Sequence, residues 1–375
     1  MPIRQLTVSG YRSIQDLRLS LNDLNLIVGP NGCGKSNLYQ SMFLLAQAAN
    51  GRLANALASE GGMPSVLWAG ERKRGPVRML LGVATAELHY ELGCGLPVPS
   101  QTAFGLDPEI KEEMIWTPLN EGKRAYLLER KGPTAWVRDL EGRRVKYPYM
   151  MSTSETALSQ VREPHLYPEL SALRAEMNEW RFYHHFPTGP DAPARNPQPG
   201  VRTPVLGHDG SDLAAALQTI LEIGDRESLY RAVSEAISHA ALQIDIDSHC
   251  RMIVELRVPG IKRPLQAREF SDGTLRYLYL VAALLSPRPP QLIALNEPEM
   301  SLHPDVINQL ARLIVDASKR SQLWVVTHSE RLAELVEQQS AASPIRLHLV
   351  DGKTRIVGRE ACVYYDAEEE LLSEE

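Results

Sequence analysis

The chain has 375 residues, of which 43% are hydrophobic and 23% are charged, and its formal net charge at pH 7 is −6. These values are ordinary for a folded globular protein, so they exclude a disordered or fibrous chain, and the length predicts two to three domain-sized units. The negative net charge argues against strong non-specific DNA binding by the whole surface, but it leaves room for a local basic face.

The N-terminal segment predicts three β-strands and no targeting signal. Polar and apolar residues alternate over residues 3–8 and 17–21, on either side of a turn near Gly10, and residues 24–28 form a compact apolar run. The chain begins with no apolar stretch behind a basic segment, so we expect no secretory signal. No later run approaches the roughly 18 apolar residues of a membrane helix, so we expect no membrane association.

The middle of the chain predicts a β meander followed by helices. Short runs split by Gly, Pro and Asp lie between about residues 77 and 149, a pattern typical of antiparallel strands. They are VRMLLGV, AELHYEL, RAYLLER, TAWVRDL and RRVKYPYM. Helical patterns follow at about 154–180. Prolines are dense between Pro187 and Pro204, so this segment is predicted to be an irregular loop or a lid over the surface.

From residue 211 the pattern changes to longer helices and alternating elements. Helices are predicted at 211–223 and 226–241, strands near 243–247 and 251–258, and an alternating series to about 357, which is typical of a parallel sheet. The predicted divisions are an N-terminal lobe at 1–150, a helical insertion with the proline-rich loop at 151–242, a C-terminal lobe at 243–360 and an acidic tail at 361–375.

A glycine-rich motif follows the third strand. Residues 29–36 read Gly-Pro-Asn-Gly-Cys-Gly-Lys-Ser, which satisfies G-x-x-x-x-G-K-S and opens a segment with helical spacing of apolar residues. Such a loop directs backbone N–H groups and the positive end of the helix at phosphate oxygens. Lys35 is predicted to reach the β and γ phosphates of ATP, and Ser36 to bind Mg²⁺. The predicted nucleotide-binding residues of this segment are Asn31, Gly32, Cys33, Gly34, Lys35, Ser36 and Asn37.

A second motif ends an apolar strand, where residues 291–298 read Gln-Leu-Ile-Ala-Leu-Asn-Glu-Pro. The strand ends where a parallel sheet presents its carboxyl edge to ligands, and the segment resembles a Walker B strand, in which an Asp holds magnesium through water and the next Glu positions the attacking water. That resemblance implies Glu297 as the candidate general base and Asn296, in place of the Asp, as the candidate magnesium residue. An amide has an oxygen but no charge, and a unit charge about 4 Å from a cation is worth about 4 kcal/mol at an effective dielectric of about 20. We therefore expect a weaker magnesium site and slow, but not absent, hydrolysis.

Three further segments accompany this strand: F-S-D-G-T-L-R at 270–276, M-S-L-H-P at 300–304 and V-V-T-H-S at 325–329. Together with the glycine-rich motif and G-Y-R-S at 10–13, this wording resembles the stand-alone bacterial ATPases related to the ABC-type heads of the RecF, SMC and OLD families. The resemblance covers the first 50 residues and about 265–330 well, and the middle of the chain poorly.

The resemblance implies an α/β P-loop NTPase fold, an ABC-type head with a mixed-sheet core, an antiparallel β meander and a helical or lid insertion. It implies that Ser271 and Gly273 contact the γ-phosphate bound by a second subunit, that His328 senses the γ-phosphate, and that Arg12 lies near the nucleotide. Plainer interpretations exist for each side chain: Ser271 as a helix cap, His328 as a strand-edge histidine, Arg12 as a turn residue.

Two further features of the family pattern are less well defined. Residues 301–303 resemble a D-loop that contacts the partner subunit, although Pro304 also suits the start of a helix. No glutamine has a convincing place as the family's Q-loop residue; the available ones are Gln40, Gln47 and Gln101.

The resemblance implies an ATP-driven switch, with Lys35, Glu297 and His328 as catalytic residues and ATP and Mg²⁺ as cofactors. Two heads would enclose two ATP molecules, and hydrolysis would release them. The partners considered are a second copy of the chain, a separate nuclease or toxin effector, and DNA, in DNA repair or anti-phage defence. The alternative function is a module that dimerises on binding nucleotide with little or no hydrolysis, because the magnesium position carries Asn296.

Cysteine spacing and short basic runs complete the sequence signals. The four cysteines, at positions 33, 94, 250 and 362, share no C-x-x-C spacing, which predicts neither a zinc site nor disulfides and favours a reducing, cytoplasmic location. Basic runs at 72–74 and 143–144 are candidate DNA contacts, although such runs are usually solvated loops.

Overall fold

The computed structural model describes residues 2–71, 77–99, 101–119 and 123–358, and the chain folds into two compact units. The first unit contains the residues up to 21, residues 29–178 and the segment from 346 onward, and the second contains 22–28 and 179–345. The predicted acidic tail at 361–375 and the basic run at 72–74 lie outside the described residues.

Strands and helices are numbered in chain order. The strands are β1 (Gln5–Tyr11), β2 (Ile14–Ser20), β3 (Leu24–Val28), β4 (Arg78–Ala84), β5 (His89–Gly95), β6 (Glu109–Pro118), β7 (Arg124–Lys131), β8 (Thr134–Arg138), β9 (Arg144–Lys146), β10 (Arg181–Tyr183), β11 (Gln198–Pro199), β12 (Ala241–Ile246), β13 (Arg251–Arg257), β14 (Leu265–Gln266), β15 (Leu292–Asn296), β16 (Gln322–Thr327), β17 (Ile345–Val350) and β18 (Lys353–Ile356). The helices are α1 (Lys35–Ala49), α2 (Leu53–Ser59), α3 (Met63–Val66), α4 (Ala157–Gln160), α5 (Pro168–Glu179), α6 (Leu213–Ile223), α7 (Arg226–Ala236), α8 (Asp272–Leu284), α9 (Ile307–Ala317) and α10 (Glu330–Gln339).

An antiparallel sheet dominates the first unit. Its strand order is β2-β1-β4-β5-β6-β7-β8-β9, so the N-terminal strand pair joins the predicted meander in one sheet. The apolar residues that recur at helical spacing after the glycine-rich motif are buried in α1. They are Leu38, Met42, Leu45 and Ala49. The predicted strand, glycine loop and helix therefore occur in that order.

Strand β6 is absent from the predicted meander because charged residues interrupt its apolar pattern. Glu113 and Arg130 are both fully buried in this sheet, with Arg130 Nη1 3.6 Å from Glu113 Oε2. The Glu113 carboxylate also accepts hydrogen bonds from the backbone N–H groups of Ala157 (2.5 Å) and Leu158 (3.0 Å), at the start of α4. A buried carboxylate is tolerated when it is paired and hydrogen-bonded, so a charge-rich sequence can form a central strand.

The second unit is built on parallel strands in the order β10-β15-β16-β3. Asn296 pairs in register with Val326, and Thr327 with Val28, so the carboxyl ends of β15, β16 and β3 lie at one edge. The face that carries Leu295 packs into a hydrophobic core with helices α6 to α9. A small antiparallel sheet of order β11-β13-β12 completes this unit, with β14 paired to β13.

Two sequence predictions were wrong in detail. The proline-rich segment contains a 3₁₀ turn at Pro193–Arg195 and strand β11, and Ala194 and Gln198 are buried. Proline fits the first position of such a turn because its missing N–H has no partner there. The series that was predicted to alternate to about 357 ends in an antiparallel hairpin, in which Leu347 pairs with Ile356.

Among the described residues, no helix is both long and apolar enough to cross a membrane.

Candidate functional site

The glycine-rich loop depends on two glycines with positive φ. Gly32 has φ +79° and Gly34 has φ +99°, conformations that other residues rarely adopt. A Cβ on Gly34 would lie 2.1 Å from Thr354 Oγ1, whereas a Cβ on Gly32 would meet nothing within 4 Å. Gly34 is therefore required for space as well as for backbone conformation, and α1 begins directly after it at Lys35.

Lys35 lies inside the curve of its own loop. Its ammonium donates to the carbonyl oxygens of Gly29 at 2.6 Å and Pro30 at 2.9 Å, and the residue is 5% exposed. Because both acceptors are neutral, a phosphate oxygen that entered the loop could replace one of them as a stronger partner. The predicted magnesium residue Ser36 is exposed at the start of α1, whereas the side chain of Cys33 is buried, so only the backbone of Cys33 can serve a ligand.

A chain of hydrogen bonds supports the loop from the C-terminal hairpin. The Thr354 hydroxyl donates to the Cys33 carbonyl at 2.9 Å and lies 2.8 Å from Ser13 Oγ. Since its proton goes to Cys33, Thr354 accepts from Ser13, which in turn accepts from Asn37 Nδ2 at 2.7 Å. The Asn37 amide thus takes part in supporting the loop. Sequence reasoning missed Thr354, because no local pattern marks a residue so distant in the chain.

Arg12 is held in place by Glu60, which follows α2. Its guanidinium lies 2.6 Å from Glu60 Oε2, and the same carboxylate accepts from Tyr11 Oη at 2.9 Å and from Gln40 Nε2 at 2.6 Å. Burial and the adjacent Glu60 carboxylate raise the pKa of Tyr11, so its hydroxyl stays a donor. The Arg12 side chain remains 35% exposed. This arrangement fixes the arginine while leaving it accessible.

Glu297 and His328 lie together at the carboxyl edge of the parallel sheet. Nδ1 of His328 is 3.5 Å from Oε1 of Glu297, and the side chains are 47% and 30% exposed. The two residues come from neighbouring strands whose ends are in register, which is why they meet. With its proton on Nδ1, His328 can orient the carboxylate and keep Nε2 available to a ligand.

The backbone of Glu297 is held in an unfavourable conformation. Its φ is +47°, in the left-handed region that costs a residue with a side chain about 1–3 kcal/mol. The peptide is fixed on both sides: its N–H donates to the Val326 carbonyl at 2.8 Å, and its carbonyl accepts from Arg276 Nη2 at 2.8 Å. Burial lowers the pKa of Arg276, and the carboxylates of Glu299 and Glu297 oppose that shift. Such strain concentrates at functional sites, where the surroundings stabilise it.

Glu299 is a site residue that the sequence analysis missed. It is 8% exposed, and its Oε1 accepts from Thr327 Oγ1 at 2.5 Å and from the His328 N–H at 3.3 Å. The same oxygen is 3.8 Å from His328 Nδ1. Glu299 therefore ties the end of β16 to the loop after β15. The available sequence signal was a second acid two residues after Glu297, in the segment 297–301.

Asn296 offers an oxygen ligand that the protein leaves unsatisfied. Its Oδ1 is buried and has no hydrogen-bond partner among the described residues. Buried polar atoms are nearly always paired, so an orphaned oxygen at a ligand-binding edge fits a cation such as Mg²⁺, which prefers oxygen ligands.

Ser271 caps the helix α8, as one interpretation of the sequence expected. Its Oγ accepts from the Thr274 N–H at 3.1 Å, and the side chain is exposed. A Cβ on Gly273 would lie 2.5 Å from the Ser301 carbonyl oxygen, and Ser301 itself has φ +64°. The glycine thus permits the predicted D-loop to pack against the start of α8. A pocket of about 500 Å³ opens here, lined by residues that include Ser271, Gly273, Tyr277, Ser301 and His303.

Arg195 anchors the segment that precedes α8. It is 8% exposed and donates to the carbonyls of Thr188 (2.7 Å) and Phe270 (2.8 Å), and its guanidinium lies 2.8 Å from Asp272 Oδ1. The proline-rich segment therefore positions the start of α8.

Both arginines of the basic run at 143–144 form ion pairs with carboxylates of this chain. Arg143 lies 2.9 Å from Asp139 and 2.6 Å from Glu141, and Arg144 lies 3.0 Å from Glu129. These guanidinium groups would have to exchange their carboxylate partners to bind a nucleic-acid backbone. The geometry offers no preformed DNA contact at this run.

Two protein-family models match the chain. Residues 142–334 match the family described as "AAA domain, putative AbiEii toxin, Type IV TA system", which is just over half of the chain, and residues 1–66 match the family described as "AAA ATPase domain". The second match contains the glycine-rich loop, and the first contains the edge that carries Asn296, Glu297 and His328.

Two curated proteins are similar over very different lengths. A stretch of 56 residues is 39% identical to the DNA replication and repair protein RecF of Bacillus cytotoxicus, and it spans 15% of this chain and 15% of RecF. The ATP/GTP phosphatase of Helicobacter pylori is 20% identical over 365 residues, which cover 90% of this chain and 88% of that protein.

Solved structures of SMC heads share the fold. The SMC head bound to the C-winged-helix domain of ScpA has a TM-score of 0.52 at 16% identity and covers 95% of this chain and 98% of its own. An Smc head with an extended coiled coil, bound to the C-terminal domain of ScpA derived from Pyrococcus furiosus, has a TM-score of 0.50 at 13% identity and covers 95% and 96%. The predicted α/β ABC-type head fold and the resemblance to RecF- and SMC-like P-loop ATPases are confirmed.

Proposed function

The chain belongs to the AAA-domain family of ATPases whose model matches residues 142–334, and we propose that it hydrolyses ATP as a nucleotide-dependent dimeric switch. The observation that carries the proposal is the pairing of Glu297 with His328, 3.5 Å apart, at the carboxyl edge of a parallel sheet. The left-handed backbone of Glu297 costs free energy, and such strain concentrates at functional sites, which supports a catalytic rather than a purely structural pair.

Each group in the proposed site has a separate task. The glycine-rich loop binds the phosphates through its backbone N–H groups, and Lys35 neutralises the charge on the β and γ phosphates. Glu297 accepts a hydrogen bond from the attacking water and orients it, while His328 holds Glu297 and contacts the terminal phosphate. Glu299 keeps the peptide of His328 in place through the hydrogen bond to its N–H.

Magnesium fits the residues present. We propose that Asn296 Oδ1 would be one oxygen that holds the ion and, from the glycine-rich motif alone, that the Ser36 hydroxyl would be another. When bound, the ion would neutralise the charge on the β and γ phosphates. The charge that Asn296 lacks makes this site weaker than one with an aspartate. We therefore propose slow turnover with a high requirement for Mg²⁺.

The second head is a second copy of this chain. Ser271 leaves its helix N-terminus exposed next to the pocket at Gly273 and Ser301, and an anion at a helix N-terminus is favoured by the backbone N–H groups and the helix dipole. We propose that this surface receives the terminal phosphate of the ATP held by the other copy.

The cysteines described, Cys33, Cys94 and Cys250, are unpaired, which supports a cytoplasmic location for the switch.

The alternative is a module that dimerises on nucleotide without hydrolysis, and the neutral Asn296 is the observation that favours it. Both functions include dimerisation on ATP, and they differ only in whether ATP is hydrolysed. The test therefore measures ATP hydrolysis together with oligomeric mass. We would measure ATP hydrolysis and light scattering, with and without ATP, for the wild type, Lys35→Ala and Glu297→Gln.

We expect slow turnover by the wild type, none by Lys35→Ala, and an ATP-bound dimer without turnover for Glu297→Gln. Dimerisation by the wild type without any hydrolysis would establish the binding module instead. If the wild type did not hydrolyse ATP and its oligomeric mass did not change when ATP was added, both functions would be wrong.

A further inference from the structure

A pocket in the first unit contains two arginines and no acid among the described residues that line it. Its volume is about 290 Å³, and its lining consists of Ala49, Asn50, Ser159, Arg162, Arg174 and Asn178. Helix α1 has 15 residues, so at about 1.5 Å per residue the pocket lies about 20 Å from the glycine-rich loop, which opens the same helix. The pocket is therefore separate from the proposed nucleotide site.

Arg174 reaches the pocket from α5 and is held by backbone carbonyl groups. Its Nη1 donates to the carbonyl of Val161 at 2.7 Å and to that of Leu158 at 3.5 Å. These acceptors are neutral, so they fix the guanidinium without neutralising its charge. A guanidinium has five N–H donors, and those on Nε and Nη2 of Arg174 have no acceptor among the described residues.

Arg162 reaches the same pocket from the segment after α4. Its Nε donates to the Ser159 carbonyl at 3.2 Å, which is again a neutral acceptor. The adjacent acid, Glu163, is engaged elsewhere, because its carboxylate accepts from the Tyr147 hydroxyl at 3.1 Å and from the Arg162 backbone N–H at 3.0 Å. Both Nη groups of Arg162 are therefore left for a ligand.

The two guanidinium groups leave the pocket positively charged. Neither forms an ion pair with a carboxylate in the described part of the chain, whereas Arg143 and Arg144 both do. The C-terminal end of α1 carries a partial negative charge of roughly half an elementary charge, which is small against two full positive charges. The pocket thus attracts an anion although the whole chain has a net charge of −6.

Two asparagine side chains complete the polar lining. Asn178 lies one turn after Arg174 on α5, so the two share a face of that helix, and Asn50 directly follows α1. Side-chain amides are hydrogen-bond donors. Donors therefore converge on the pocket from three separate elements.

We propose that this pocket binds a phosphate group. The planar fork of arginine matches phosphate oxygens, and a tetrahedral phosphate accepts hydrogen bonds from several directions, as donors on three elements require. At about 30 Å³ per water molecule, the pocket has room for about ten waters, which also admits a phosphate attached to a larger molecule. The group is either a free phosphate ion or part of a nucleic-acid backbone, and the experiment separates these two sources.

The test uses the full chain without ATP, so it does not depend on the proposed hydrolysis. We would titrate inorganic phosphate and, separately, a short DNA duplex into Lys35→Ala, a change that weakens phosphate binding at the glycine-rich loop. The same titrations follow for Lys35→Ala combined with Arg162→Ala, Arg174→Lys or Arg143→Ala. A hydrogen bond to a charged group is worth about 10- to 100-fold in affinity, so Arg162→Ala should weaken phosphate binding at least about 10-fold.

The other variants make the result specific. Arg174→Lys keeps the charge but loses the fork, so it should lose part of the affinity, and a melting curve confirms that each variant is folded. Arg143→Ala should leave phosphate affinity unchanged, because Arg143 is already paired with Asp139.

The two probes identify the source of the phosphate. Duplex binding that depends on Arg162 would assign the site to a nucleic-acid backbone, whereas dependence of inorganic phosphate alone would assign it to the free ion. If neither probe lost affinity in Arg162→Ala, or if Arg143→Ala lost as much as Arg162→Ala, the pocket would not be a phosphate site.

Discussion

The glycine-rich loop and the carboxyl edge of the parallel sheet both contain residues with positive φ, but their conformations are determined in different ways. The loop is one continuous segment, and its shape follows from glycines with positive φ at positions 32 and 34. The edge is assembled from the ends of separate strands, and its central residue, Glu297, takes a positive φ although it is not a glycine. A loop of this kind can therefore be specified locally, whereas the carboxyl edge depends on register and on neighbours that stabilise a strained residue.

The largest effect that distinguishes the two regions is expected at Gly34. Gly34→Ala adds a Cβ 2.1 Å from Thr354 Oγ1 at φ +99°, so we expect ATP binding to fall at least about 100-fold and the melting temperature to drop. Gly32→Ala is the matched control, because it has a positive φ but no neighbour within 4 Å. It should cost about 1 kcal/mol from backbone strain alone. Calorimetry and nucleotide titration of both variants check this; equal effects would show that Thr354 does not limit the loop.

At the edge, the next largest effect is expected from Glu299. Glu299→Ala leaves the Thr327 hydroxyl and the His328 N–H without their acceptor, and we expect kcat to fall about 10- to 100-fold with little change in nucleotide affinity. Glu299→Gln keeps an oxygen in the same place and should lose only a few-fold. Steady-state kinetics over a range of ATP concentrations separate kcat from KM. A fall in affinity with unchanged kcat would place Glu299 in binding rather than in positioning.

A smaller effect, and of opposite sign, is expected at Asn296. Asn296→Asp adds a negative charge beside the proposed cation, so half-maximal ATP turnover should need about 10-fold less Mg²⁺. Asn296→Ala is the matched control, because it removes the oxygen without adding charge, and it should need more Mg²⁺ than the wild type. A magnesium titration at fixed ATP measures both. If the requirement does not change in either variant, Asn296 is not at the metal site.

The sequence predicted the loop better than the edge, for physical reasons. Gly34 and Lys35 lie in one motif whose residue types follow from phosphate binding, so pattern and context were sufficient. Glu297 and His328 were predicted only through the family resemblance, because their approach depends on the register of β15 and β16. Glu299 and Thr354 were missed, since their roles come from contacts between elements distant in the chain.

The fold shows the same division between local and distant information. Helix α1 and the strands with clear alternation were predicted from apolar spacing alone. Strand β6 was missed because Glu113 is buried against Arg130, a pairing that no local pattern reveals. The 3₁₀ turn that carries Arg195 was hidden in a run of prolines, and its anchoring of Phe270 is visible only once the chain has folded.

The measurement that tests the central claim most directly is ATP affinity together with the single-turnover rate of bound ATP in Lys35→Ala and Glu297→Gln. The account predicts a division: Lys35→Ala loses binding, whereas Glu297→Gln binds ATP as tightly as the wild type and loses at least about 100-fold in the chemical step. If Glu297→Gln cleaved bound ATP at the wild-type rate, or if both variants lost affinity equally, the carboxyl edge would not be the catalytic half of the site.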